Sequence, residues 1–257
     1  MLTPEGIERF NQDKYEKDYS LDQVSINKGL DKKDYFQRLV EIKLSLIKKY
    51  GFNKRVLDVG CGSGDYLLKL SDLLSAGVGV DFTQKAIDEA NVKKSKQAVK
   101  NIDFLKGNAR SLSFDSESFD LAFSFSSLFY MPKIEEVVRE MWRVAKPGGI
   151  IILEMGNLQS LNTVVCKAYP EWAQSCHIST NQMKRVISQS ELKVLQWRSF
   201  QIFPLWGERP RWLKPLLHPR WKKFFQKEIK GKMLDEWISN LPLIKHFAFR
   251  HIIVCQK

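Results

Sequence analysis

The run Val56-Leu57-Asp58-Val59-Gly60-Cys61-Gly62-Ser63-Gly64-Asp65-Tyr66 sets three glycines at alternate positions between a short apolar stretch and a helical stripe. Glycine has no Cβ, so such a loop turns tightly and lets a ligand approach its backbone, while the helix that follows offers N–H donors in its first turn. Strand, glycine turn and helix in that order belong to an open α/β sheet, whose ligands sit at the carboxyl ends of parallel strands. Taken singly, Asp58 and the later Asp81 also suit helix caps, and Gly77 and Gly79 suit turns. Their joint order at strand ends favours a ligand site.

The alternation continues along the chain. Phe36, Leu39, Val40, Leu46, Ile47 and Tyr50 recur at helical spacing over 34–50, with lysines between them and Gly51 after the end. Strands are expected at 55–59, 77–80, 102–105, 121–125 and 150–154, and helices at 64–74, 84–99 and 134–144, the last closed by Lys146-Pro147-Gly148-Gly149. The continuous apolarity of 150–154 fits a strand buried on both faces. Beyond Asn157 the regularity weakens and returns as a helix near 180–189, capped by Ser179-Thr180, and as strands near 193–202 and 248–255. These elements make one domain over 1–257: an N-terminal helical arm (1–50, its first 32 residues a loose arm or short helices), a ligand-binding core (54–157) and an insert between the last two strands (204–245).

Composition narrows the class. With 44% hydrophobic and 27% charged residues the chain of 257 is globular rather than disordered. Its longest apolar runs fall far short of the ~20 residues that a bilayer needs, and the start carries no basic-then-apolar leader, so a cytoplasmic protein is expected. Cys61, Cys166, Cys176 and Cys255 show no metal-ligand spacing, so free thiols and no metal are expected. Lys and Arg number 41 against 29 Asp and Glu, a net +12 that calls for an anionic partner. Residues 204–232 hold nine Lys or Arg, two Glu and three Trp, and nine minus two is +7 of that excess. Trp221, Phe224, Phe225 and Ile229 there fall on one face of a short helix. The insert suits a lid, a membrane-surface patch or a nucleic-acid contact, or a packed element with snorkelling lysines; nucleic acid is less favoured, because no RNA-binding motif accompanies it.

The loop itself selects the ligand. Its spacing is Gly-x-Gly-x-Gly, not the Gly-x-Gly-x-x-Gly of dinucleotide folds, and Asp58 would repel a pyrophosphate but welcome an ammonium. Asp81, about twenty residues on, ends the next strand where a carboxylate accepts hydrogen bonds from ribose hydroxyls. Together with Gly77-Val78-Gly79-Val80-Asp81-Phe82-Thr83, Gly107-Asn108-Ala109-Arg110, Phe119-Asp120-Leu121 and Arg143-Val144-Ala145-Lys146-Pro147-Gly148-Gly149, the chain over 54–157 resembles the class I S-adenosylmethionine-dependent methyltransferases, most closely their small-molecule, type 11-like branch. The resemblance implies a doubly wound, Rossmann-like α/β fold with a seven-stranded sheet, mostly parallel with the last strand antiparallel. It places S-adenosylmethionine at Asp58, Gly60, Cys61, Gly62 and Gly64, with the ribose on Asp81 and the adenine against Phe82. Asn108 stands beside Ala109 where the family usually has an acidic residue for the adenine amino group, and its carbonyl can still accept that bond. Phe125 belongs to the segment facing cofactor and acceptor. Tyr15 and Tyr19 become candidates for an arm closing over the cofactor, with surface packing the alternative.

For the acceptor, the segment 124–132 lacks Asn-Pro-Pro-Tyr or Asp-Pro-Pro-Tyr, an acidic pair and a Pro-Cys, which argues against amide or exocyclic-amine methylation, metal-assisted catechol chemistry and covalent attack on a pyrimidine. Phe129-Tyr130 stand where many small-molecule relatives carry a His-His pair, so Tyr130 is the remaining proton-handling group, or else a buried hydroxyl satisfied by backbone. His177 is a candidate base or acceptor contact, or a structural histidine. Asn157 is a candidate acceptor contact or a loop residue. The expectation is methyl transfer to a small apolar or amphiphilic, or lipid-like, acceptor, first at oxygen, with peripheral membrane contact through 204–232. An RNA methyltransferase and a non-catalytic S-adenosylmethionine-binding module are the alternatives.

Overall fold

The computed structural model describes residues 2–18, 35–171 and 173–257. The arm enters as one helix, α1 (Pro4–Asp18), and the predicted stripe forms α2 (Tyr35–Gly51), which buries Tyr35, Leu39, Leu46 and Ile47. Lys43 lies in the same buried stripe. The core follows as β1 (Arg55–Val59), α3 (Asp65–Lys69), β2 (Ala76–Asp81), α4 (Gln84–Lys96), β3 (Ile102–Lys106), β4 (Phe119–Ser124), α5 (Ile134–Val144) and β5 (Ala145–Gly156). Then come α6 (Leu161–Lys167), α7 (Thr180–Gln189), β6 (Lys193–Phe200), α8 (Pro219–Phe225), a short ribbon of β7 (Glu228–Ile229) and β8 (Lys232–Met233), α9 (Leu234–Ser239) and β9 (Arg250–Gln256).

Seven strands form one sheet in the order β3-β2-β1-β4-β5-β9-β6, with β9 antiparallel to both neighbours and the other contacts among the first five strands parallel. This is the doubly wound, Rossmann-like arrangement expected. Because successive strand residues face opposite sides, the sheet feeds two cores. Val56, Leu121, Phe123, Ile152 and Ile252 pack with Leu39, Leu46 and Ile47 of α2 on one face, while Leu57, Val59, Ala122, Ile151 and Ile253 pack with Val137, Met141 and Val186 of α5 and α7 on the other. The chain reverses its winding between β1 and β4, so the carboxyl ends of these strands open a crevice there.

Several boundaries differ from the sequence expectation. The helix expected over 64–74 is α3 followed by a 3-10 turn, Ser71–Leu73, because the run from strand β1 to strand β2 is short. Lys146-Pro147-Gly148-Gly149 does not form a loop after α5. It lies inside β5, where pairing with β4 shifts register between Phe119 and Leu121 and Gly148 takes φ +73°, a bulge that absorbs the proline. Ile229 falls on β7 rather than on the helix bearing Trp221. The cap at Ser179 forms as expected, with Gln182 completing a capping box.

Candidate active site

The glycine loop is locked to the sheet before any ligand arrives. The amides of Gly60 and Cys61 donate to the Val80 carbonyl at 2.7 and 3.1 Å. Gly60 (φ +77°) and Gly64 (φ +75°) lie in the left-handed region, and a Cβ would come within 2.4 Å of Ser127 Cβ at the first and 2.3 Å of the Phe104 ring at the second. Asp81 holds the loop from β2: Oδ2 accepts from Gly62 N and Oδ1 from Thr83 N, each at 2.9 Å. The Thr83 side chain also bonds this carboxylate, which as an acceptor of about four hydrogen bonds can still take a further donor. Burial raises the Asp81 pKa, while those amide bonds oppose the shift.

A cavity of about 180 Å³ opens above the loop, lined by Gly60, Cys61, Gly62, Asp81, Phe82, Phe125, Ser126, Tyr15 and Tyr130, among others. Gly64 and Asp58 are not in its lining. Asp58 is only 1% exposed, and its Oδ2 has no hydrogen-bond partner among the described residues. Burial, reinforced by Asp81, holds its carboxyl well above the usual carboxylate range. A buried carboxylate without a cation is costly, so this site is incomplete until a positive group approaches. The orphaned oxygen, the glycine cradle and the Asp81 carboxylate together suit the ammonium and ribose of S-adenosylmethionine.

A small adjoining cavity of about 40 Å³ is bordered by Phe82, Asn108, Ala109 and Tyr130. Asn108 Oδ1 accepts from Arg110 N at 2.9 Å, which fixes the side chain in a turn. Helix α1 lies along these cavities. Tyr15 meets the rings of Phe82 and Tyr130 edge-on at 6.1 and 5.9 Å. Asn11, 1% exposed, donates to the carbonyls of Tyr130 and Gln174 at 2.9 Å each and accepts from Gln174 N at 2.6 Å. Glu16 accepts from Gln84 N at 2.7 Å, and Glu8 pairs with Arg110. Tyr19 lies outside the described residues.

On the far side of Tyr130 is a third cavity, of about 210 Å³, walled by Phe36, Phe129, Trp206 and Phe249 and reached by Cys166 and Arg250. Tyr130 therefore borders all three. Burial raises its pKa, so the phenol keeps its proton at neutral pH and is suited to donating a hydrogen bond. His177 lines none of the three. Its Nδ1 bonds Thr163 Oγ1 at 2.8 Å, and its ring stands edge-on to Phe129 and Phe249 at 5.9 and 5.0 Å, behind the chamber wall. Burial lowers its pKa to about 4, so it is neutral. Asn157 is fully buried and donates to the carbonyls of His246 and Ala248 at 2.7 and 2.9 Å, holding two segments together.

Sequence reasoning missed the charged cluster between the cofactor cavity and the chamber. Glu154 Oε2 meets Lys43 Nζ at 2.7 Å and accepts from Ser126 N at 2.7 Å, while Oε1 meets Arg250 Nη1 at 2.7 Å. The two cations outweigh burial and hold the Glu154 carboxyl down at about 2. Ser126, with φ +59°, is thereby fixed in a left-handed conformation beside Phe125. The available signals were a lysine inside the apolar stripe of α2 and a glutamate ending the apolar run of β5.

The crevice at the switch of this doubly wound sheet thus brings together a glycine cradle and two buried carboxylates, Asp58 and Asp81. Residues 57–153 match the family model described as "Methyltransferase domain", so this segment is similar to that family. Over 100 residues the chain is 37% identical to the demethylmenaquinone methyltransferase of Lactococcus lactis subsp. lactis (strain IL1403), covering 38% of this chain and 40% of that protein. Over 102 residues it is 29% identical to sterol 4-C-methyltransferase strm-1 of Caenorhabditis elegans, covering 39% and 30%. The chain thus spans well under half the length of these curated relatives. The crystal structure of the YcgJ protein of Bacillus subtilis shares the fold with a TM-score of 0.58 at 20% identity, covering 84% of this chain and 97% of that one.

Proposed function

We propose that the chain transfers a methyl group from S-adenosylmethionine to a small lipophilic acceptor carrying a hydroxyl, at that oxygen or at a ring carbon the oxygen activates. The observation that carries this is the meeting of the cofactor cavity and the aromatic chamber at Tyr130. When bound, S-adenosylmethionine supplies an electrophilic methyl whose bond to sulfur breaks with its electron pair going to sulfur, as the acceptor atom forms the new bond. Asp58 neutralises the ammonium, Asp81 takes the ribose hydroxyls, and Phe82 covers the adenine with Asn108 and Ala109 at its rim. Phe125 and Ser126 form the wall between cofactor and acceptor, and Tyr15 closes the cofactor cavity from α1. Tyr130 positions the acceptor by donating from its phenol; His177 acts by supporting Phe129 and Phe249. Such positioning is worth on the order of 7–11 kcal/mol of the barrier. The names of the relatives, one acting on demethylmenaquinone and one on a sterol, support a lipophilic acceptor.

The insert supports delivery from an anionic membrane surface. Trp212 is 68% exposed and Phe224 42%, among Arg211, Lys222 and Lys223, whereas Trp221 packs on Phe203 and Phe225 at ring distances of 5.2 and 6.0 Å. The first two suit insertion and the third anchors the patch to the core. No helix among the described residues is long and apolar enough to cross a membrane. Incubation with S-adenosylmethionine carrying a trideuterated methyl, and a panel of reduced naphthoquinones, naphthols, sterols and RNA, tests the reaction. One labelled methyl on a lipophilic acceptor is expected; transfer to RNA alone, or none at saturating cofactor, would overturn the proposal.

A further inference from the structure

The aromatic chamber contains one unspent cationic edge. Arg250 is 16% exposed in its side chain; its Nε donates to Gln201 Oε1 and its Nη1 to Glu154 Oε1, each at 2.7 Å. Nη2 has no hydrogen-bond partner among the described residues, although the guanidinium is clasped at 5.0 and 5.5 Å by the rings of Phe129 and Phe249, which themselves wall the chamber. The surrounding charge does not balance. Lys43 and Arg250 share the single carboxylate of Glu154, leaving one positive charge in excess. Burial raises the pKa of Tyr35, Tyr130 and Cys166, so they add no charge, and the Asp235 carboxylate is turned to Tyr35, Gln201 N, Ile202 N and Ser239 and pairs with neither cation among the described residues.

We propose that Arg250 Nη2 binds an anionic oxygen of the acceptor, so that the substrate is a planar lipophilic molecule held as its carboxylate, enolate or phenolate. The proposal rests on the chamber being the acceptor site. Phe36, Phe129, Trp206 and Phe249 take the apolar body, and Arg250 takes the charged end. For an enol or phenol the same excess charge favours the deprotonated form, whose proton has gone to solvent before transfer. This explains how a site whose Tyr130 keeps its proton and whose His177 lies behind the wall presents a nucleophile without a dedicated base.

The test measures binding, with no turnover. Titrating the protein with 2-naphthoate and with its neutral isostere naphthalene-2-methanol, by intrinsic tryptophan fluorescence, should show the anion bound at least ~10-fold more tightly, the ratio expected for a charge-assisted hydrogen bond. Arg250→Gln should remove that preference while Arg250→Lys keeps part of it, and displacement of naphthoate by S-adenosylmethionine should be absent, since the two cavities adjoin at Tyr130 but Arg250 lines only the chamber. Equal affinity of the two probes for the unaltered protein overturns the proposal even if the variants fail to fold, as does an unchanged preference in a folded Arg250→Gln. Absorbance of added 4-nitrophenol separates the sources of the anion: capture as phenolate supports an enolate or phenolate acceptor, and selective naphthoate binding without that capture supports a carboxylate. S-adenosylmethionine binding, measured in parallel by calorimetry, reports on the methyltransferase reading separately: its retention with no anion preference overturns only the role of Arg250.

Discussion

Asp58→Asn should stabilise the empty protein and weaken its hold on the cofactor, two opposite effects of one carboxylate. Asp58 is 1% exposed, with an Oδ2 unpartnered among the described residues and a pKa pushed up by burial and by Asp81. A group whose folded pKa lies above its unfolded one binds more protons when folded, so stability falls as pH rises from the unfolded value, near 3.8, through the folded one. Removing the charge should therefore relieve about 1–3 kcal/mol at neutral pH, the cost of an unsatisfied buried group. For a domain of this size each kcal/mol moves Tm by roughly 2–4 °C. With the ammonium unpaired, affinity for S-adenosylmethionine should fall ~10- to 100-fold. Scanning calorimetry of the empty protein from pH 5 to 8, with titration of S-adenosylmethionine and of 5′-methylthioadenosine, separates the effects. The latter lacks the amino-acid group and should bind the variant as well as the unaltered protein. A lower Tm together with unchanged S-adenosylmethionine affinity, or an equal loss for both ligands, would refute the reasoning.

Glu154→Gln leaves two buried cations facing each other and should destabilise by about 3–5 kcal/mol in urea unfolding; since the folded pKa is about 2, the stability it carries is complete above its ordinary value of 4.5 and is lost as pH falls from there towards 2. Removing the first 32 residues, and with them Asn11, Tyr15 and Glu16, should raise the cofactor dissociation constant without unfolding the core; an unchanged constant from calorimetry would exclude a closing role for α1. Neutralising Arg211, Lys222 and Lys223 should weaken sedimentation with phosphatidylserine vesicles, most at low salt, while leaving S-adenosylmethionine binding intact; equal loss of both would make the insert a core element.

The glycine loop and the carboxylates at the strand ends were legible because they are local in sequence. Loop, strand end and helix start lie within 56–83, where glycine spacing and carboxylate position speak directly. The parallel sheet also followed from the alternation of strands and helices, and its antiparallel last strand from the family resemblance. Arg250 was hidden because register, not spacing, places it: β9 pairs antiparallel with β5, setting Arg250 opposite Gly156 and two positions from the Ile252 that faces Glu154. Side chains two apart share a face, so the charges of two distant strands meet only once the sheet has formed, and Lys43 reaches them from α2. For His177 the sequence left a base, an acceptor contact or a structural histidine open, because the wall of Phe129 and Phe249 in front of it forms only in the fold. The strand through Pro147 was missed because proline and paired glycines ordinarily stop an element, and here a bulge accommodates them.

The central claim is that the glycine loop with Asp58 and Asp81 holds S-adenosylmethionine. Calorimetric titration of the protein with S-adenosylmethionine, S-adenosylhomocysteine and NAD tests it most directly, with Asp81→Ala alongside. Both adenosyl ligands should bind one per chain and NAD should not, and the variant should lose about 1.5–3 kcal/mol of that affinity through its missing charge-assisted hydrogen bonds. Binding of NAD at comparable affinity, or full affinity for the adenosyl ligands without the Asp81 carboxylate, would contradict it.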